Sequence, residues 1–408
     1  MLDIKFIRQN PEKVKEGVAK KQAKVDIDRL LELDEKKREY LQKTENMRSE
    51  QNKLGKDNIV KAQEIKAEIK KLEPELEIVE KELRVLLCKI PNLPLDTVPA
   101  GKDDTENIVL REGGKKTEFS FQSKDYMEIG EKLDIVDTQR AAKVSGTRFG
   151  YIKGGAAMLE FALVNLAMET LAKENFVPVI PPVMLKPEMM EGMGYVERGA
   201  EEIYYLERDK LYLIGTSEQS IGVMHSGEIF EENALPKRYA GFSTCFRREA
   251  GAYGKDTKGI LRVHQFDKVE MFSFCHPEKS KEEHQLLLKM EEKLMQLLDI
   301  PYRVINICSG DLGDPAAAKY DIEAWLPGQN QYRETHSTSN CTDYQARRLN
   351  IKYRDSKTKK PEFVHTLNGT AFAIGRMLIS IIENYQQKDG SILVPKVLQK
   401  YTGFKKIG

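Results

Sequence analysis

Several familiar devices are missing from this sequence. Its five cysteines, Cys88, Cys245, Cys275, Cys308 and Cys341, form no C-x-x-C pair and no spacing that would offer a tetrahedral thiolate site. An odd, scattered set of this kind suggests reduced thiols, and the expectation is a cytoplasmic protein. Net charge is nearly absent as well. Charged residues make up 32% of the chain, yet the formal total is only +1, so no global field marks a nucleic-acid binder and any electropositive site has to be a local patch. No apolar run stands out as long enough to span a bilayer, and the N-terminus, MLDIKFIRQNPEKVKEG, is charged within its first few residues, so no membrane association is expected. Neither G-x-x-x-x-G-K-[ST] nor G-x-G-x-x-G occurs, which leaves any bound nucleotide to be held by side chains.

Two kinds of periodicity are present. From Ile65 the apolar residues fall at Ile65, Ile69, Leu72, Leu76, Val79, Leu83, Leu86 and Ile90, an alternation of four and three that describes a coiled-coil seam. Upstream, Leu33, Tyr40, Met47 and Leu54 recur every seven residues, and the polar break GKDN, Gly55 to Asn58, predicts a turn between two antiparallel helices. A dimerisation coiled coil and a projecting intrachain arm both satisfy this pattern. Pro74 is expected to kink the second helix. Lys53, Lys56 and Lys61 near the tip, with Lys13, Lys15, Lys20 and Lys21 before it, could meet phosphates or simply form a solvated face.

The segment IPNLPLDTVPAGKDD, Ile90 to Asp104, reads as a linker, dividing the chain into a helical domain at 1–100 and a second domain at 101–408. The second predicts an amphipathic helix near Gly155 to Lys173, then FVPVIPPVML, which its prolines confine to a sheet edge or an interface. Short alternating segments near Leu211, Arg238, Leu261, Tyr302 and Arg333 read as strands. HTLNGTAFAIGRMLISIIENYQ reads as a turn joined to a helix with Ala373, Leu378, Ile381 and Ile382 inward and Arg376 in its early turns. The fold class is therefore α+β: an antiparallel two-helix coiled-coil arm, followed by an antiparallel β-sheet domain flanked by helices.

The strand segments carry unusual chemistry. Residues two apart share a strand face, which pairs Thr216 with Glu218 in GTSEQS and Arg247 with Glu249 in FRREAG. The same rule groups Arg262, His264, Phe266, Lys268, Glu270 and Phe272. Any one such pair is compatible with a solvated outer face. Several consecutive segments of this kind, with a glycine-rich loop from Gly251 to Gly259, point instead to a ligand site. In WLPGQNQYRETHSTSN, Glu334 and Ser337 offer hard oxygen donors suited to Mg²⁺.

Together these segments resemble the seryl-tRNA synthetases of class II, over nearly the whole chain. The resemblance rests on the proline-bearing segment ending in Pro181 and Pro182, on FRRE at Phe246 to Glu249 with its loop and following strand, and on AIGR at Ala373 to Arg376. GTSE, RVHQFDKVEMF, YRETHSTSN, HTLNGT and the helical arm ending in IPNLP belong more narrowly to the seryl enzymes. The chain stops soon after the last motif, so the C-terminal anticodon domain of the prolyl, threonyl and histidyl relatives is not expected.

The resemblance implies an enzyme, a ligase that activates L-serine with ATP and transfers it to tRNA(Ser), with tRNA(Sec) a further candidate, as a homodimer. It implies that Arg247, Glu249 and Arg376 are catalytic. Arg247 would clamp the α-phosphate and carboxylate, Arg376 the γ-phosphate, and Glu249 the adenine amino group. ATP would also be met by Arg248, Val263, Glu334, Thr335, His336 and Ser337, with Glu334 and Ser337 on Mg²⁺. Serine would be read by Thr216, Ser217, Glu218, Glu270, Asn368 and Thr370. Local departures from the family pattern occur at Thr335 and His336, at Gln219 and Ser220, and at Ala371 and Phe372. Rival readings are a catalytically altered paralogue that binds RNA, an amino-acid:carrier-protein ligase and a different class II synthetase. Intact Arg247, Glu249, Glu334 and Arg376, the long arm, and the absent C-terminal domain argue against these in turn.

Overall fold

The computed structural model describes residues 1–54, 58–250 and 258–408, so most of the predicted turn at Gly55 to Asn58 and most of the loop at Gly251 to Gly259 lie outside the described residues, as does Lys56. The chain divides into two compact units between Leu93 and Pro94, inside the linker expected at Ile90 to Asp104.

In the first unit, short helices Ile4–Gln9 and Pro11–Lys20 precede two long ones, α1 (Ile27–Lys53) and α2 (Ile59–Lys89). Asp26 caps α1 by accepting the Arg29 amide, satisfying one of the open donors of the first turn. The two run antiparallel: ion pairs link Arg29 to Glu82, Lys37 to Glu80, Arg48 to Glu73 and Lys61 to Glu50. Exposed pairs of this kind are worth at most about 1 kcal/mol each. The seam holds the helices together, with Leu30, Leu33, Ile65, Ile69, Leu83 and Leu87 buried, each worth about 1.5–3 kcal/mol. Helix α2 continues through Pro74. The predicted basic face is partly consumed: Lys15, Lys20 and Lys61 are ion-paired and Lys21 is buried.

The second unit is organised by an eight-stranded sheet. Its strands are β1 (Ile108–Gly113), β2 (Val177–Val179), β3 (Lys237–Phe246), β4 (Gln265–Cys275), β5 (Tyr302–Asn306), β6 (Ala318–Leu326), β7 (Gln331–Asn340) and β8 (His365–Ala373). They lie in the order β1-β5-β6-β7-β8-β4-β3-β2. Every neighbouring pair is antiparallel except the edge pair β2 and β3. Pro178 of FVPVIPPVML thus stands on an edge strand, where a missing N–H costs no ladder bond, and Pro181 and Pro182 follow just past it. Helices α3 (Gly154–Ala172), α4 (Ser217–Val223), α5 (Ser280–Leu297) and α6 (Ile374–Asn384) pack against this sheet. Apolar residues of α3, α5 and α6, such as Leu163, Leu287, Leu294, Leu378 and Ile382, join Val269, Met271, Leu367 and Phe372 in the main core.

Four expectations need correction. The segment at Leu261 is irregular, and β4 starts only at Gln265. HTLNGTAFA is strand β8, not a turn. Thr216 and Glu218 do not share a strand, because Thr216 caps α4 and Glu218 lies in its first turn. Helix α3 is long and apolar enough to cross a membrane by length and composition; its Leu159, Leu163, Leu166 and Leu171 are spent on the core of this unit.

Candidate active site

A cavity of about 690 Å³ opens in the second unit, and its walls come from segments far apart in sequence. Strand β4 contributes Lys268 and Glu270, and β8 contributes Asn368 and Thr370. Neighbouring residues of these strands, Val269, Met271, Leu367 and Ala371, go to the core. Strand alternation therefore separates a greasy face from an ionic one.

Two irregularities refine that alternation. Glu334 and Ser337 are three apart, which would put them on opposite faces of a regular strand. The pairing of β6 with β7 shifts so that Ile322 faces His336 while Glu323 faces Glu334, leaving Thr335 as the extra residue of a bulge. Glu334 and Ser337 consequently both line the cavity, as does Thr335, whose hydroxyl donates to the Ile322 carbonyl at 3.2 Å. A matching shift between β4 and β8 leaves Ala371 extra, so Thr370 and Ala373 face the cavity together.

The cavity has two electrostatic ends. One is cationic. Arg247 lies just beyond β3, where its amide donates to the His264 carbonyl at 3.0 Å and its Nε to the Gly215 carbonyl at 3.1 Å. Glu249 also lies past the strand end, with φ near +50°, so the expected strand pairing of Arg247 and Glu249 is replaced by an irregular turn. That turn is held by Arg148, donating to the Glu249 carbonyl at 2.8 Å, and by Arg262, donating to its carboxylate at 3.4 Å. Arg376, near the start of α6, gives its Nη1 to both the carbonyl and the carboxylate of Glu334 at 3.0 Å. Burial pushes the Glu334 carboxyl up, and Arg376, Lys319 and Arg247 together outweigh it, holding it ionised at about 2.

The other end holds two buried carboxylates. Glu270 pairs with Lys268 at 2.5 Å and accepts from Thr370 Oγ1 at 3.3 Å. Glu218, 4% exposed, accepts from the Tyr195 hydroxyl at 2.8 and 2.9 Å and from Gln345 Nε2 at 3.1 Å. Burial, then the neighbouring Glu270, lift its carboxyl to about 7. A molecule carrying an anion at one end and an ammonium at the other matches this polarity.

Of the residues singled out in the sequence, Thr216, Glu218, Arg247, Glu249, Val263, Glu270, Glu334, Thr335, Ser337, Asn368, Thr370 and Arg376 line the cavity. Three do not. Ser217 turns into the packing of α4 on the sheet, with its hydroxyl 2.7 Å from that of Ser243. Arg248 points away and stacks over Tyr204 at 5.6 Å. His336, on the opposite side of the bulged strand, is 1% exposed beside Phe372 with its Nδ1 2.8 Å from Thr335 Oγ1, and burial lowers it to about 3. Tyr195, Arg262, Lys268, Lys319 and Cys341 also line the cavity. The charged alternation after Leu261 flags Arg262 and Lys268. Tyr195 and Cys341 arrive through tertiary packing and carry no local signal.

Comparison with known proteins agrees with this construction. Residues 1–94 match the model of the seryl-tRNA synthetase N-terminal domain, and residues 204–385 match that of the tRNA synthetase class II core domain (G, H, P, S and T). The serine–tRNA ligase of Thermobifida fusca is 46% identical over 99% of this chain and 98% of its own. The crystal structure of seryl-tRNA synthetase from Pyrococcus horikoshii complexed with ATP superposes with a TM-score of 0.94 at 43% identity, covering 100% of this chain and 99% of that one. The cytoplasmic serine–tRNA ligase of Naegleria fowleri in complex with AMP gives 0.91 at 39%, covering 100% and 98%. With a two-part family match, full-length relatives and a cavity of this polarity, the chain belongs to the seryl-tRNA synthetase family, class II ligases that form aminoacyl-tRNA.

Proposed function

We propose that the chain activates L-serine with ATP and transfers the serine to the 3′ end of tRNA(Ser). The observation that carries this reading is the two-ended cavity. The reaction brings the serine carboxylate onto the α-phosphorus of ATP, two anions that must be held in line while charge is neutralised. Arg247 takes the carboxylate and the α-phosphate, and Arg376 the γ-phosphate, each with a planar fork that a lysine lacks. Glu249 accepts from the adenine amino group, and Val263 packs against the base. At the other end Glu218 and Glu270 receive the ammonium and hydroxyl, with Thr216, Asn368 and Thr370 completing the polar contacts. Alanine or glycine in such a pocket leaves polar groups unpaired, so polar matching discriminates against both. Pyrophosphate departs, and the terminal ribose hydroxyl of tRNA then attacks the adenylate carbonyl, breaking its bond to the phosphate and releasing AMP, without a covalent enzyme intermediate.

Mg²⁺ fits the residues present. The bulge at Thr335 gives Glu334 and Ser337 a common face, and the Glu334 carboxylate stays ionised. Among the described residues no group of three or more His, Cys, Asp or Glu forms a self-sufficient metal cage, which suits an ion whose remaining ligands come from substrate phosphates. When held by Glu334 and Ser337, the ion would neutralise charge on the phosphates. The arm from Ile27 to Lys89 serves as the tRNA-binding element, for tRNA(Ser) and for tRNA(Sec) where that tRNA exists. A homodimer forms through the segment Phe176 to Leu185 of the second unit, where Val177 and Ile180 are 55% and 86% exposed, in a cytoplasmic enzyme whose cysteines remain thiols. The test is amino-acid-dependent pyrophosphate exchange across a panel of amino acids, followed by charging of bulk tRNA. Exchange with serine alone, and esterification of a serine-accepting tRNA, are the expected results. Exchange with another amino acid, or none, overturns the proposal.

A further inference from the structure

We infer that Tyr195 is a positioning residue for amino-acid recognition: its hydroxyl, with the Gln345 amide, fixes Glu218 so that one carboxylate oxygen is presented to the substrate ammonium. The inference rests on the proposed reading of Glu218 as an ammonium receptor, and it extends that reading to a part of the chain carrying none of the expected site residues.

The observation is the number and nature of donors on one carboxylate. Glu218 Oε1 accepts from both the Tyr195 hydroxyl at 2.8 Å and Gln345 Nε2 at 3.1 Å, while Oε2 lies 2.9 Å from the same hydroxyl. Neither donor is charged. Oε1 is thereby committed to the protein, and Oε2 keeps its second acceptor direction for a ligand. Burial first, and then the facing Glu218, raise the Tyr195 phenol well above its ordinary value, so it remains protonated and can act only as donor to a carboxylate.

The support behind Tyr195 is itself built. Helix Pro187–Met193 ends at Gly194, whose backbone is left-handed with φ near +83°. A Cβ there would come within 2.9 Å of the Tyr344 ring, so only glycine lets the chain turn this tightly toward Tyr195. From helix Tyr344–Leu349, Gln345 Nε2 also approaches the Met193 carbonyl at 3.4 Å. Arg348 donates to the Glu191 carbonyl at 2.9 Å and pairs with Glu197 at 2.5 Å. The Gln345 carbonyl in turn accepts from Thr366 Oγ1 at 2.7 Å. Glu191 and Glu197 flank Tyr195, so the segment bearing the phenol is tied to the helix bearing the amide, and both donors reach Glu218 from one braced unit.

The titratable and charged groups facing Glu218 are Glu270 and Lys268 from β4 and Tyr195 itself, with Cys341 in turn facing Tyr195. Glu270 disfavours the ionised form of Glu218; Tyr195, Gln345 and Lys268 favour it. Removing the phenol hydroxyl therefore moves Glu218 ionisation to higher pH, and amino-acid binding that needs the carboxylate moves with it.

The experiment is Tyr195→Phe in the full-length protein, which keeps the ring and removes only the hydroxyl. Pyrophosphate exchange is measured against amino acid and against ATP over pH 6 to 9. KM for serine is expected to rise about tenfold, with kcat and KM for ATP within twofold of wild type and the acidic limb of kcat/KM for serine displaced to higher pH. An unchanged serine KM and pH limb overturns the inference, as does an equal rise in both KM values, which would mean general loosening of the cavity. The wild-type panel separates this from the parent reading. If an amino acid other than serine supports exchange, the serine assignment falls, and Tyr195 is judged by the same ratio with that amino acid. A wild type inactive with every amino acid overturns both.

Discussion

Glu218 bears a stability cost that a single substitution should release. Its carboxyl stands at about 7 against an ordinary 4.5, because it is buried and faces Glu270. A carboxyl raised in the folded state binds its proton more tightly there than in the unfolded chain, so folding stability falls as pH rises from 4.5 through about 7, and the full cost is present above that range. At about 1.4 kcal/mol per pH unit of difference, the ionised group costs about 3 kcal/mol at pH 8 and about 1.5 kcal/mol at pH 5.5. Glu218→Gln removes the charge and keeps the shape. Its carbonyl can occupy the position of Oε1, which already accepts from Tyr195 and Gln345, and its amide can donate to the Tyr195 oxygen. The variant should therefore be more stable than wild type by about 3 kcal/mol at pH 8, with about half that gain at pH 5.5. The chain has one tryptophan, Trp325 on β6, so its fluorescence during urea unfolding reports on the second unit. Serine-dependent exchange should fall at the same time. A gain equal at both pH values, or a loss at pH 8, would refute the electrostatic argument.

Three further outcomes follow from the same structure. Arg247→Ala should lower serine-dependent pyrophosphate exchange by about 10² or more, as expected on removing a transition-state charge stabiliser; near-wild-type exchange would sink its assigned role. Val177→Glu combined with Ile180→Glu should convert a dimer into a monomer in sedimentation at micromolar concentration, and an unchanged dimer would move the interface away from the Phe176 to Leu185 segment. Deleting residues 27–90 should leave serine-dependent exchange intact while tRNA charging collapses, and charging by the full chain should weaken steeply with salt as phosphate contacts release counterions; charging at the intact rate without these residues would remove tRNA binding from the arm.

The parts legible in the sequence are those governed by short periods. Of the alternation of four and three from Ile65 to Ile90, Ile65, Ile69, Leu83 and Ile90 are buried, because helical geometry repeats the same face wherever the chain goes; near its end Leu87 is buried where Leu86 is only half-buried. Lys268 and Glu270 were visible for the same reason on a strand. Glu334 and Ser337 are legible as oxygen donors but their common face is not, since the bulge that brings them together is decided by pairing with β6 and has no signature in YRETHSTSN. Thr216 failed as a strand residue because its hydroxyl is a better helix cap, accepting the Glu218 amide at 3.2 Å. Ser217 and His336 were carried along by neighbours on the motif, while strand and helix geometry turn them the other way. Tyr195 is the limiting case. It reaches Glu218 only through packing between helices Pro187–Met193 and Tyr344–Leu349, and no window of sequence contains both partners.

The placement of charge explains why the ionic strand faces are tolerated at all. Breaking a buried pair such as Lys268 and Glu270 by removing one partner costs about 3–5 kcal/mol, whereas replacing both by well-packed apolar residues is often neutral. Stability alone therefore gives no reason to keep them. Beside the pair stands Glu218, a second carboxylate with neutral donors only, so this end of the cavity holds two acids and one base and lacks one positive charge. At the opposite end, Arg247 and Arg262 border the cavity with Glu249, and Arg376 with Glu334. An amino acid supplies the missing cation at one end, and its carboxylate, joined by phosphates, supplies anions at the other. The same substrate that relieves Glu218 thus brings the two reacting anions under the arginines, and binding energy gained at the ammonium is available to hold the carboxylate against the α-phosphorus. An analogue that keeps the carboxylate but lacks the ammonium should lose more in kcat/KM than one that keeps the ammonium but lacks the hydroxyl, and equal losses in exchange kinetics would show that the two ends act independently.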